Sequence, residues 1–358
     1  MRNYLFIKDA IDQSVIKRPT PVKKMVLLKY IFSLLWFLLK KAARFPATIA
    51  APTPNKRRII VKSNANGSFI TYIMIMNMSK ASKVIEIFTK YGISNSKEEN
   101  KYEISELDGI TNTSYVVGLG SEKYVLRIPG DNPDVINRAS EKHNTALAQE
   151  YGITLPYLIF DEKNGVKISK FFDIYTYKES DFKDNNMRNN AFEKLNILHN
   201  SGLVFEHNFS PLEVFNDLAD ISNQIEEEAK EIGLKIVKKL NEIGINNKPC
   251  HQDLYSANFV VHEGETYLID WEYSSMGDPY FDYADLFWQN EFELDKKLRK
   301  QALEEIGVTN SDEVEKFEIF EILSMITWGL WALKRSQNSQ QGHNALTNAI
   351  NLSEKKKL

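Results

Sequence analysis

A single cysteine, Cys250, stands in 358 residues. That excludes an internal disulfide and a multi-cysteine metal site, and it suits a reducing compartment such as the cytosol. Neither sign of charge is in excess. The 45 Lys and Arg against 48 Asp and Glu leave a formal charge of −3, which gives no general attraction to nucleic acid or anionic lipid. No nucleic-acid partner is expected, and an anionic ligand must be held by a local site. No apolar run reaches the roughly 20 residues that span a bilayer comfortably. The longest candidate, residues 25–39, is broken by Lys29 and closed by Lys40, Lys41 and Arg44. A secretory signal is not expected either, because those charges separate the run from the small residues at 47–51. Three readings of this segment stay open: weak association with a membrane surface, a helix docked on the main domain, or upstream sequence dispensable to it. Met74, Met76 and Met78, just before an amphipathic start at Ser79, favour the last. There is no internal repeat, and nothing fixes an oligomeric state.

What is present is enough chain for two lobes with a cleft between them, plus an appendage. After Ser79, Val84, Ile85, Ile87 and Phe88 fit a short helix ended near Gly92. Strands are expected at 102–107, 115–118, 123–128, 157–161 and 166–172, with a turn-rich loop at 108–112 and a helix over 137–150. From residue 189 the pattern turns helical: Ala191, Leu195 and Leu198 share a face, as do Ile221, Ile225, Ala229, Ile232, Ile236 and Leu240. Two short strands surround a turn at Glu263, Gly264 and Glu265, and helices resume at 284–288 and 317–335. The expected organisation is α+β, two-lobed: an N-terminal extension (1–78), a strand-rich N-lobe (79–172), a mostly helical C-lobe (173–345) and a tail (346–358) whose residues 354–357 are solvated.

The chemistry concentrates in His251-Gln252-Asp253-Leu254-Tyr255-Ser256-Ala257-Asn258, which has the spacing of a kinase catalytic loop, His-x-Asp with Asn five residues after the Asp. The Asp accepts or orients the proton of an attacking hydroxyl. The Asn offers a neutral oxygen to magnesium without repelling phosphates. A second carboxylate must reach the metal, and Asp270 arrives at the end of an apolar strand, where protein kinases place the Asp of Asp-Phe-Gly. Here Trp271, Glu272 and Tyr273 follow instead. Each residue alone is weak evidence, since His-x-Asp occurs by chance and a carboxylate after a strand is often a turn residue. Their order and spacing together favour function. His251 is expected to brace the loop by hydrogen bonding.

The stretch from Cys250 to Asn258, followed by Tyr267-Leu268-Ile269-Asp270-Trp271-Glu272-Tyr273-Ser274-Ser275-Met276-Gly277-Asp278-Pro279, resembles the choline/ethanolamine kinase family, bacterial branch. Thr111 and Asn112 with Tyr115 resemble its nucleotide loop, Tyr124-Val125-Leu126-Arg127-Ile128-Pro129-Gly130 the following strand, and Trp328-Gly329-Leu330-Trp331 its C-terminal aromatic motif. The resemblance implies a protein-kinase-like fold shared with aminoglycoside phosphotransferases, with ATP as co-substrate and Mg²⁺ as cofactor. It implies Asp253 as catalytic base, Asn258 and Asp270 as magnesium ligands, and Thr111, Asn112 and Arg127 at the nucleotide. Arg127 stands where kinases usually have Lys; its permanent charge and planar fork serve phosphate equally well. Glu141 is expected to be its partner, and Asp282 a structural carboxylate bracing the catalytic loop. Asp108 departs from the pattern, in a place where a second loop glycine is expected.

Trp328 and Trp331 lie at i and i+3 on one helix face, a spacing most often explained by core packing. With Tyr273 they resemble the box that the family places around a quaternary ammonium, which binds ring faces by cation–π attraction. Glu272 and Gln289 are expected at its rim. The implied partners are choline or a related amino alcohol and ATP, and the implied product is phosphocholine. The rivals are an ethanolamine or aminoglycoside kinase, the latter needing an acidic pocket, and a nucleotide-binding pseudokinase, against which intact Asp253, Asn258 and Asp270 argue.

Overall fold

Alternate side chains of a strand face opposite ways. In Glu122–Pro129 (β3), Tyr124 and Leu126 therefore enter a core while Arg127 takes the other face. The computed structural model describes residues 80–107, 112–130, 136–207, 224–292, 295–336 and 338–357. Thr111 with the rest of the loop at 108–111, the extension 1–78 including 25–39, and Ile221 lie outside the described residues.

Tyr102–Leu107 (β1), Asn112–Leu119 (β2), β3, Ile159–Asp161 (β4) and Val166–Lys170 (β5) form an antiparallel sheet in the order β1-β2-β3-β5-β4. Lys80–Lys90 (α1) lays Val84, Ile85 and Phe88 into the same core as Val117, Leu126 and Ile168. The β3–β5 register sets Lys167 opposite Arg127, so two cations stand together on the face away from that core. Arg138–Glu150 (α2) starts at Asn137, whose side chain accepts from the Ser140 amide at 3.1 Å. Its buried face is polar, made by Glu141, Asn144 and Thr145. Asn144 donates to the Ser274 carbonyl (2.9 Å) and accepts from the Glu206 amide (2.9 Å), which fixes α2 to the second lobe.

A second, larger core is built by Asn185–Asn200 (α3), Gln224–Ile243 (α4), Pro279–Gln289 (α5), Lys296–Glu305 (α6), Ser311–Arg335 (α7) and Gln340–Lys356 (α8). Lys248–Cys250 (β7) pairs with Ser275–Gly277 (β10), and Tyr175–Thr176 (β6), Phe259–His262 (β8) and Glu265–Leu268 (β9) form a three-stranded sheet. The architecture is thus α+β with a strand-rich and a helical lobe. Among the described residues no helix is long and apolar enough to cross a membrane.

The expectation of a tail at 346–358 is corrected. Ser339 caps α8, and Leu346, Ala349, Ile350 and Ser353 recur at helical spacing and are buried. Lys355 and Lys356, which suggested a solvated end, sit in the last turn, where cations suit the negative end of the helix dipole. Glycine makes the docking close: a Cβ at Gly342 would lie 2.9 Å from the Gly329 carbonyl oxygen of α7. With α4, α5 and α8 packed on it, α7 is buried nearly all round.

Candidate active site

Backbone amides in a loop need acceptors when they are buried. Between β7 and β8 the acceptors are two carboxylates of α5. Asp282 accepts from the amides of His251 (2.9 Å) and Gln252 (2.7 Å) and is also bonded to His199 Nε2 at 2.8 Å. Asp285, one turn on, accepts from the Leu254 amide at 2.7 Å. Asp253 is held between these anchors, and Gln252 beside it adopts φ 70°, a left-handed conformation uncommon outside glycine. The Gln252 side chain donates to Ser275 Oγ at 2.6 Å, and Gly277 leaves it room, since a Cβ there would come within 2.8 Å of its Nε2.

The buried His251 links this loop to the next: its Nε2 donates to the Ile269 carbonyl at 2.9 Å, and its Nδ1 faces the Asp253 amide at 3.4 Å. Burial lowers its pKa, so the ring is neutral with the proton on Nε2. Asn258 closes the arrangement by donating to the Asp253 carbonyl (2.8 Å) and carboxylate (3.1 Å), and its own carbonyl accepts from the Ile269 amide at 2.9 Å. The next residue, Asp270, also has a left-handed backbone, φ 68°.

Asp270 receives Arg127 Nη2 on Oδ2 at 2.7 Å, while its Oδ1 is buried with no hydrogen-bond partner. That orphan oxygen, next to an Asn258 amide whose nitrogen is already engaged, is a donor set of the kind a hard divalent cation takes. Burial alone would raise the Asp270 pKa, but the Arg127 guanidinium holds it at about 2. Burial, with the charges of Asp285, Asp270 and Glu272 behind it, pushes Asp253 well above the ordinary carboxylate range. Asp285 is pushed up to about 7 by burial, against the hydrogen bonds it accepts from Ser324, Leu254 and Gln289.

One expected placement changes, and a second residue gains partners that the sequence did not show. Glu141 does not pair with Arg127; it meets Lys167 and, at 2.7 Å, Arg138. The cross-strand register explains this, because Lys167 extends from the same sheet face as Arg127 and takes the helix carboxylate. Glu272 is engaged by Arg138 (3.5 Å) and Arg127 (3.9 Å), and its carboxylate, with those of Glu141 and Asp270, forms a group within 4.8 Å. It belongs to this charged cluster, and its charge also acts on Tyr273. Burial, reinforced by Asp270, pushes Glu272 up to about 7. Gln289 donates to both oxygens of Asp285 at 3.0 and 3.1 Å. Asn112 opens β2 opposite Pro129.

Tyr273, Trp328 and Trp331 come together. Their ring centroids are 4.8 Å (Tyr273 to Trp328), 6.2 Å (Tyr273 to Trp331) and 5.6 Å (Trp328 to Trp331) apart, and the planes meet at 88°, 85° and 77°. All three are only partly buried, so ring surface remains open. Lys167, Arg138, Asn144 and Asp285 were missed from sequence. The one local signal was for Asp285, which stands three residues after Asp282 on the same helix face.

Residues 236–317 match the model of a family described as a phosphotransferase enzyme family. Two curated relatives are similar, both named Protein LicA and both from Haemophilus influenzae. One is 29% identical over 216 residues, covering 58% of this chain and 63% of its own length, under two thirds. The other is 30% identical over 205 residues, covering 54% of this chain and 76% of its own length. Among solved structures, the choline kinase LicA from Streptococcus pneumoniae superposes with a TM-score of 0.63 at 26% identity, over 76% of this chain and 99% of that one. A LicA structure in complex with AMP gives 0.64 at 28% identity, over 77% and 98%. These chains share the two-lobed, protein-kinase-like fold.

Proposed function

The chain belongs to the choline kinase family, and from that premise we propose that it phosphorylates the hydroxyl of choline with ATP, giving phosphocholine and ADP. The observation that carries the choline assignment is the box of Tyr273, Trp328 and Trp331, three open rings at near right angles beside the catalytic loop. A trimethylammonium has no N–H to donate and is recognised by ring faces. A primary ammonium needs acceptors, and Glu272, the carboxylate adjacent to Tyr273, is engaged by Arg138 and Arg127.

In this reading Asp253 receives the hydroxyl proton as the choline oxygen bonds to the γ-phosphorus and the bridging oxygen leaves with ADP. Burial and the neighbouring carboxylates raise its pKa, which makes it a stronger base than an ordinary carboxylate. Asp282 and Asp285 hold the loop backbone on either side of it. Asn258 and Asp270 would hold Mg²⁺, which when bound offsets charge on the phosphates. Arg127, now on Asp270, offers its fork to a phosphate oxygen. The AMP complex of the LicA relative supports an adenine nucleotide as co-substrate. An ATP-consuming enzyme whose one thiol is reduced and buried fits the cytosol.

The test is a turnover screen with ATP over choline, dimethyl-, monomethyl- and unmethylated ethanolamine, and an aminoglycoside. Turnover should rise with methylation and be negligible for the aminoglycoside. A preference for unmethylated ethanolamine or for the aminoglycoside would overturn the choline reading.

A further inference from the structure

Building on the choline reading, we propose that Arg335 is a charge gate at the aromatic box, a specificity-determining residue that confines the box to ligands with one positive charge and holds down affinity for that charge. Arg335 stands four residues after Trp331 in the last turn of α7, and its guanidinium carbon lies 4.7 Å from the centre of the Trp331 ring. That is inside the roughly 6 Å over which a cation is attracted to a ring face. The chain has thus placed a cation of its own on one wall of the box. Its charge also reaches the second wall: burial and the neighbouring carboxylates push the Tyr273 hydroxyl upward, and Arg335 is the group that opposes them. Among the described residues Arg335 forms no ion pair with a carboxylate; the carboxylates that act on Tyr273 are Glu272, Asp253 and Asp270.

An incoming ammonium meets two opposed effects. The rings of Tyr273, Trp328 and Trp331 attract it, while the exposed Arg335, 4.7 Å from the centre of the Trp331 ring, repels it. A single cation accepts the balance. A ligand with a second ammonium must bring that charge toward Arg335 as well, with no ring left to compensate. An uncharged ligand of the same shape feels none of this.

The test compares Arg335→Gln, which removes the charge at similar length, with Arg335→Lys, which keeps it. Steady-state kinetics are measured with choline, with its uncharged carbon isostere 3,3-dimethylbutan-1-ol, and with 1,3-diaminopropan-2-ol. For Arg335→Gln the choline KM should fall about fivefold, corresponding to roughly 1 kcal/mol, with the KM values for the isostere and ATP unchanged. The diamine should gain turnover. High salt should shrink the difference from wild type, and Arg335→Lys should stay close to wild type. An unchanged or higher choline KM, or an equal shift for the isostere, overturns the gate. If the wild type does not phosphorylate choline, it is the choline reading that fails, and calorimetry with tetramethylammonium decides the gate by itself. Tighter binding by Arg335→Gln upholds it, and equal binding discards it.

Discussion

Arg127 of β3 and Asp270 of the loop after β9 join the two lobes through a hydrogen bond of 2.7 Å between a guanidinium and a carboxylate that are both largely buried. The pair sets its own pH range. Asp270 has a folded pKa of about 2, below its ordinary value, so its stabilising contribution is complete above about pH 4 and is lost as pH falls through 2.

Arg127→Ala should therefore weaken the fold at neutral pH by about 3 kcal/mol, the usual cost of leaving one buried partner of an ion pair uncompensated. It should also raise the dissociation constant for ATP by at least about tenfold. Urea unfolding and calorimetry read the two effects, and unchanged ATP affinity would remove Arg127 from the phosphate site.

Asp253→Asn is expected to lower kcat by about three orders of magnitude while nucleotide binding stays within about twofold of wild type. The substitution takes away the proton acceptor and leaves Asn258 and Asp270 in place. Near-normal turnover would show that Asp253 is not the base.

Trp331→Ala should raise the choline KM by about thirtyfold, from a desolvated ring face worth about 2 kcal/mol. The ATP KM should not move, and ethanolamine should suffer less than choline. Equal losses for the two alcohols in a folded variant would leave the rings without a selective role.

Asp285 makes a pH-dependent contribution of the opposite sign to that of Asp270. Its pKa is raised to about 7, so the buried group keeps its proton while the unfolded chain loses one. The resulting penalty is absent below about pH 4 and complete above about pH 7. Asp285→Asn, which cannot ionise, should gain stability relative to wild type between pH 5 and pH 8, by about 2 kcal/mol. Urea midpoints at the two pH values measure this, and a flat difference would mean that Asp285 titrates normally.

Leu346→Ala should cost about 3 kcal/mol, because the side chain is fully buried against Gly329 of α7. A residue in a solvated tail would tolerate the change within about 0.5 kcal/mol, so a single unfolding curve separates the two.

The arrangement of the 251–258 loop was legible because it lies in one contiguous stretch: Asp253 and Asn258 are five residues apart and close enough to bond, at 3.1 Å. Long-range pairing was not legible. The partner of Glu141 depends on the β3–β5 register, and Lys167 lay hidden in what read as an apolar strand. The two arginines that converge on Glu272 are distant from it in sequence and gave no local signal. Helix α8 was lost to its basic end, although Leu346, Ala349, Ile350 and Ser353 carried the spacing. Asp285 shares its helix face with Asp282, yet only the folded loop shows that it has an amide to accept.

The polar buried face of α2 has a mechanical consequence. Through Asn144 the helix is riveted to Ser274 and Glu206, and through Glu141 it is clamped to Lys167 of the sheet. A hinge at either joint would have to break several buried bonds at once. The sheet, α1 and α2 are therefore expected to move as one body, because Tyr102, Tyr115 and Val117 of the β1–β2 hairpin share a buried core with α1, β3 and β5. Distance labels on β1 and α2 would keep their separation during turnover.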